Sequence, residues 1–227
     1  MIKAVVFDAY GTLFDVAAAA RMAAAEPGQD TLARVWPRLA DDWRRKQLEY
    51  TWLRTITNQY ADFAQVTADG LDWAMAAQGL SDLTLRARLL ALYDRLPAYP
   101  EVAATLTTLR DAGYATAILS NGTPSMLASA IAEAGLDAQF DAVLSVEAVT
   151  TYKPSTRVYD LVGQRFGCTP GQVLFVSSNG WDVAGAAGYG FVTVWVNRAG
   201  LPQDRLANRP AFVRTDLTSI PELATTL

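Results

Sequence analysis

The chain has 227 residues, of which 51% are hydrophobic and 19% charged, enough core material for one large domain or a core domain with an insertion. Its net charge of −4 argues against a nucleic-acid partner and leaves an anionic substrate dependent on a local cluster of Lys and Arg. One cysteine (Cys168) and no histidine exclude an intrachain disulfide, a Cys-rich or His-based metal site, and Ser-His-Asp or Cys-His catalysis.

In chain order, Ile2-Lys3-Ala4-Val5-Val6-Phe7 reads as a buried parallel strand that stops at Asp8, with Gly11 and Thr12 allowing a turn. From about Asp15 to Tyr99 the composition shifts to Ala, Leu, Arg and Trp with helical spacing, broken at Pro27-Gly28, Gly70, Gly79 and Pro97. On that helical stretch Arg44, Leu48 and Trp52 share one face, whereas Arg45, Lys46 and Glu49 form a solvated one. An arginine on an apolar stripe either meets an anion or pairs with a neighbouring acid, here Asp41 or Asp42.

Further strands are predicted at 114–119, 142–144, 173–176 and 191–196, alternating with helices near 102–112, 124–134, 157–166 and 182–188. This pattern predicts a doubly wound, mainly parallel α/β sheet: residues 1–14 and 100–227 form the core domain, and 15–99 a helical cap inserted after the first strand. Ligands of such sheets collect at the carboxyl ends of the strands, where Asp8, Ser120, Asn121 and Ser177 fall. Taken singly these residues stay ambiguous. An Asp after a strand caps a turn as readily as it attacks an electrophile, a Ser caps a helix, and a Lys before Pro is an ordinary surface residue. With no basic-then-apolar leader and no membrane-length apolar run, the sequence predicts a soluble cytoplasmic protein.

The segment Val5-Val6-Phe7-Asp8-Ala9-Tyr10-Gly11-Thr12-Leu13-Phe14-Asp15 resembles the first motif of the haloacid dehalogenase superfamily. The other three motifs follow in order as Leu119-Ser120-Asn121-Gly122, Lys153-Pro154 and Ser177-Ser178-Asn179-Gly180-Trp181-Asp182. Trp43 to Tyr50 is similar to a segment of the L-2-haloacid dehalogenase branch. Two departures separate the chain from the superfamily's phosphatases: Tyr10 stands where they carry a general acid, and Ser178 replaces one of their metal-holding acids. A halide leaves without a proton, so neither loss impairs dehalogenation.

The resemblance implies a Rossmann-like fold and hydrolysis of short L-2-haloalkanoic acids with inversion, without cofactor or metal, by a homodimer. It implies that Asp8 attacks the halogen-bearing carbon, that Lys153 orients it and Thr12 supports it, and that Asp182 with Ser177 and Asn179 activates water. Ser120 and the N–H groups of Ala9 and Tyr10 would take the substrate carboxylate, and Arg44 and Asn121 the halide. Tyr10, Leu48, Phe63 and Trp181 would line an apolar pocket, although aromatic residues at such places serve equally as plain core. Tyr159 would support the site, and Arg45 stands where the branch carries Gln. Two other functions remain open at this point: a phosphatase of a small metabolite and a catalytically silent binding protein on the same scaffold.

Overall fold

The computed structural model describes residues 1–227. Six parallel strands, β1 (Ala4–Phe7), β2 (Ala115–Ser120), β3 (Ala142–Ser145), β4 (Val173–Ser177), β5 (Val192–Val196) and β6 (Phe212–Arg214), form one sheet in the order β3-β2-β1-β4-β5-β6. β1 and β4 are buried along their whole length, as expected of central strands covered on both faces. The strand order reverses between β1 and β4, the place where a doubly wound sheet opens a crevice beyond its carboxyl ends. Asp8 follows β1, Asn121 follows β2, and Ser177 ends β4, so the register brings all three to one edge.

Four helices lie between β1 and the rest of the sheet: α1 (Ala18–Ala24), α2 (Asp30–Ile56), α3 (Phe63–Ala77) and α4 (Leu83–Tyr93). Of the remaining five, α5 (Val102–Asp111), α6 (Pro124–Glu133), α7 (Thr156–Phe166) and α8 (Gly180–Tyr189) alternate with strands β2 to β5, and α9 (Ile220–Thr225) follows β6. None is long and apolar enough to cross a membrane. The start of α3 is set by Asp62, whose carboxylate accepts from the Gln65 N–H, and that of α4 by Asp82, which accepts from Thr84 and Leu85.

Gly70 does not break a helix, contrary to the sequence reading. It lies buried inside α3, where a Cβ would come within 3.1 Å of the Gln47 backbone nitrogen and 3.4 Å of the Trp43 ring. Its missing side chain lets α2 and α3 approach closely, and the Trp43 indole N–H donates across the gap to the Thr67 carbonyl (2.8 Å). The segment Phe212–Arg214 and the terminal helix escaped the sequence reading; both are short, and the strand has an exposed Val213 at its centre.

Candidate active site

Asp8 is almost completely buried and its two oxygens differ. Oδ2 accepts from the Asn179 amide (2.8 Å), the Thr12 hydroxyl (3.0 Å) and the Ser177 hydroxyl (3.4 Å). Oδ1 accepts only from the Lys153 ammonium (3.1 Å). Three neutral donors thus hold one oxygen in place while the other keeps a lone pair free for attack. Thr12 is fixed in turn by the Ser178 N–H, which donates to its hydroxyl (2.8 Å).

Lys153, 1% exposed, reaches past Asp8 to Asp182 Oδ2 (2.8 Å), and the Tyr159 hydroxyl donates to Asp182 Oδ1 (2.8 Å). Burial pushes the Asp182 carboxyl up to about 6; Lys153 pulls it down and the charge of Asp8 pushes it up again. For Lys153 burial acts downward, but Asp182 and Asp8 outweigh it and the ammonium titrates above the ordinary lysine range. A raised lysine argues for a tight ion pair and a raised aspartate against one. One ammonium between two buried carboxylates accounts for both, since it cannot fully neutralise two charges. We take Lys153 as charged throughout and Asp182 as the carboxylate that protonates more readily than an ordinary Asp.

Beyond Asp8 lies a small, partly open cavity of about 10 Å³, lined by Tyr10, Leu48, Phe63 and Trp181 and edged by Arg44, Ser120, Asn121 and Asn179. It is smaller than drug-sized pockets and suits a ligand of few atoms. The N–H groups of Ala9 and Tyr10 donate to no backbone carbonyl, and the Ser120 hydroxyl accepts from the Gly122 N–H (3.1 Å) while its own proton stays free. Asn121 accepts from the Lys153 N–H through Oδ1 (3.1 Å), which leaves its NH₂ to face an anion. Larger depressions on the surface, such as the one lined by Tyr50, Arg54 and Asp69, contain none of these groups, so the chemistry is assigned to the cavity beside Asp8.

Arg44 does not pair with Asp41 or Asp42. It donates to three neutral oxygens, Gln47 Oε1 (2.8 Å), the Tyr10 carbonyl (3.1 Å) and Asn179 Oδ1 (3.2 Å), while Asp42 pairs with Arg45 (2.9 Å). Ser177 and Asn179, expected to act with Asp182 on the hydrolytic water, donate to Asp8. Tyr159 stands behind Asp182 and not at the cavity wall. Arg45 is exposed, stacks over Trp73 with its guanidinium 4.9 Å from the ring, and does not edge the cavity.

Two residues at the site went unread in the sequence. Gln47, buried on α2, accepts from Arg44. Arg198, from the loop after β5, donates to the Thr12 carbonyl (2.9 Å), pairs with Glu101 (2.7 Å) and lies 3.7 Å over the Tyr99 ring. It thereby ties the turn after the nucleophile to the chain returning from the helices.

The donor set does not fit a divalent cation. No group of three or more acidic, Cys or His side chains is assembled, both Asp8 oxygens already accept hydrogen bonds, and the Lys153 ammonium fills the position between the carboxylates. The Tyr10 carbonyl, the other oxygen at hand, accepts from Arg44 and Asn179.

The haloacid dehalogenase-like hydrolase family model matches residues 2–190. (S)-2-haloacid dehalogenase 4A of Burkholderia cepacia is 45% identical over 89% of this chain and 86% of its own length. (S)-2-haloacid dehalogenase 1 of Pseudomonas sp. (strain CBS-3) is 42% identical over 98% and 96%. The structure of L-2-haloacid dehalogenase from Xanthobacter autotrophicus with chloropropionic acid covalently bound superposes with a TM-score of 0.89, at 40% identity and over the full length of both chains. A family match over most of the chain and relatives 42–45% identical over nearly its whole length agree: the chain belongs to the haloacid dehalogenase-like hydrolases.

Proposed function

We propose that the protein hydrolyses short L-2-haloalkanoic acids to D-2-hydroxy acids with inversion, through an ester on Asp8. The observation that carries the reading is Asp8, with Oδ1 bound only by Lys153, beside a small cavity that is also edged by an arginine held by neutral partners alone. The names of the relatives and the covalently bound chloropropionic acid of the Xanthobacter structure support it. Residues 15–99 are read as a cap domain over a core of 1–14 and 100–227. The chain is also read as a cytoplasmic homodimer, for which exposed Leu53, Ile56 and Trp73 on α2 and α3 offer an apolar surface for a second copy to cover.

In this reading Ser120 and the N–H groups of Ala9 and Tyr10 hold the substrate carboxylate, and Arg44 and Asn121 receive the halide. Asp8 Oδ1 displaces the halide from the back of the carbon and becomes the ester oxygen. Water then attacks the Asp8 carboxyl carbon, its proton passing to Asp182. Negative charge develops on Oδ2, where Thr12, Ser177 and Asn179 already donate, so those three act as an oxyanion hole. Lys153, beside Oδ1, protonates the departing alkoxide and recovers its proton from Asp182. The product hydroxyl oxygen is therefore the former Oδ1, and Asp8 retains the solvent oxygen, whose remaining proton is lost to solvent to restore the carboxylate.

Halide release from L- and D-2-chloropropionate in the presence of EDTA tests the reading. Release from the L form alone, with D-lactate as product, is expected. Absence of release from both, together with Mg²⁺-dependent hydrolysis of a phosphorylated metabolite, would replace it with the phosphatase reading.

The base assignment predicts a pH dependence. Asp182 must be ionised to accept the water proton, so ester hydrolysis slows about tenfold per unit once pH falls below its pKa. That pKa is raised to about 6 chiefly by burial and in part by the charge of Asp8, which esterification removes, so the acid limb lies below about 6 but above the ordinary Asp value of about 4. Decay of the ester, followed by rapid quench and peptide mass, shows the limb; a rate flat down to about pH 4, the ordinary Asp value, would remove Asp182 as base.

A further inference from the structure

Gln47 stands one turn after Arg44 on α2, in a run of charged residues, yet it is only 1% exposed. The close approach of α3 at Gly70 and the end of α4 enclose it. Its amide has only one workable orientation. The Thr67 hydroxyl donates to the Phe63 carbonyl (2.6 Å), so it must accept from Gln47 Nε2 (2.7 Å). Oε1 is then turned to Arg44 Nη1 (2.8 Å), and the Tyr93 hydroxyl lies within hydrogen-bond distance of the same oxygen (3.2 Å). Trp43, through its bond to the Thr67 carbonyl, locks the same pair of helices.

The arrangement settles two properties of Arg44. Its Nη1 is tied to Gln47 and its Nη2 to the Tyr10 carbonyl and Asn179, which leaves Nε–H and the second Nη1 proton unengaged. All three acceptors are neutral, so the guanidinium is held in place without losing its charge. A carboxylate at position 47 would hold it as well but cancel much of that charge.

We propose that Gln47 is the positioning residue of Arg44, holding its guanidinium at the edge of the cavity while leaving the positive charge available to the departing halide. The proposal rests on the halide role given to Arg44 above. A neutral acceptor of fixed orientation is what a departing anion requires: the donor is preorganised and no competing anion occupies it.

Gln47→Glu and Gln47→Met test it, with Arg44→Lys as the reference. Gln47→Glu should weaken inhibition by chloride and bromide and slow ester formation, each by about tenfold to a hundredfold. The KM for the haloacid should move less, because the carboxylate is held by Ser120 and the Ala9 and Tyr10 N–H groups. Gln47→Met, of similar volume and uncharged, should slow ester formation while keeping more of the halide inhibition than Gln47→Glu; it also decides the matter if the Glu variant does not fold. A purely structural role would lower Tm or the active fraction and leave the halide inhibition constant of the folded enzyme unchanged, which would overturn the proposal. Wild-type halide inhibition and ester formation in both Gln47 variants, with Arg44→Lys impaired, would overturn it and leave the role of Arg44 standing. Unimpaired Arg44→Lys would overturn both.

Discussion

Asp8→Asn is expected to lower turnover by about four orders of magnitude or more while the protein stays folded, the size of effect seen when a covalent nucleophile is removed. The amide has the shape of the carboxylate, and its oxygen can still accept from Thr12, Ser177 and Asn179. What it loses is the charge at Oδ1 and with it one of the two carboxylates facing Lys153. That loss also relieves the repulsion between Asp8 and Asp182, and Lys153 retains its bond to Asp182, so the change in stability should stay within about 2 kcal/mol. Halide release and thermal unfolding measure the two halves of the prediction. A single turnover of the wild type in heavy-oxygen water adds the stricter test. The label should enter the peptide bearing Asp8 and not the product, because the product hydroxyl carries the former Oδ1. Label in the product with none in the peptide, or sustained activity of the variant, would show that water attacks the substrate directly.

The parts of this site that can be read in the sequence are those set by local chain geometry. A nearly continuous apolar run that ends at a polar residue marks a buried strand and its carboxyl end, and that places Asp8, Ser120, Asn121 and Ser177 along one edge. Lys153 and Asp182 are different. Each stands in a turn or helix start with an ordinary structural explanation, and only the ordered motifs connect them; their 2.8 Å bond spans 29 residues that no periodicity relates. Gln47 was missed because it follows Arg44, Arg45 and Lys46, and a glutamine in such company reads as solvent-facing. Gly70 held the needed clue, since a glycine inside a helical pattern marks either a break or a close approach, and the sequence reading took it as a break. Arg45 was legible from helical spacing alone: it falls on the solvated face, and its side chain turns outward to Asp42, Glu49 and Trp73.

Lys153→Met should cost both activity and stability, and its pH dependence separates the two. With the ammonium gone, two nearly buried carboxylates face each other with no cation between them, and removal of one partner from a buried ion pair typically costs about 3–5 kcal/mol. Turnover should fall by about a thousandfold or more, since the variant can neither orient Asp8 nor protonate the alkoxide that leaves from Oδ1. Asp182 is already raised to about 6, and the cation that pulls it down is the one removed, so its carboxyl rises further in the variant. A folded-state carboxyl above its unfolded value of about 4 binds protons more readily in the native state than in the unfolded one. The stability it contributes is then complete below about 4 and is lost as pH climbs through the raised folded value. Thermal unfolding of the variant should therefore show its largest deficit against the wild type at neutral pH and a smaller one near pH 5, where Asp182 is protonated. Activity should not return over that range, because protonating Asp182 relieves the repulsion but removes the base. A deficit that stays constant with pH would mean that Lys153 stabilises the fold through its buried chain and not through its charge.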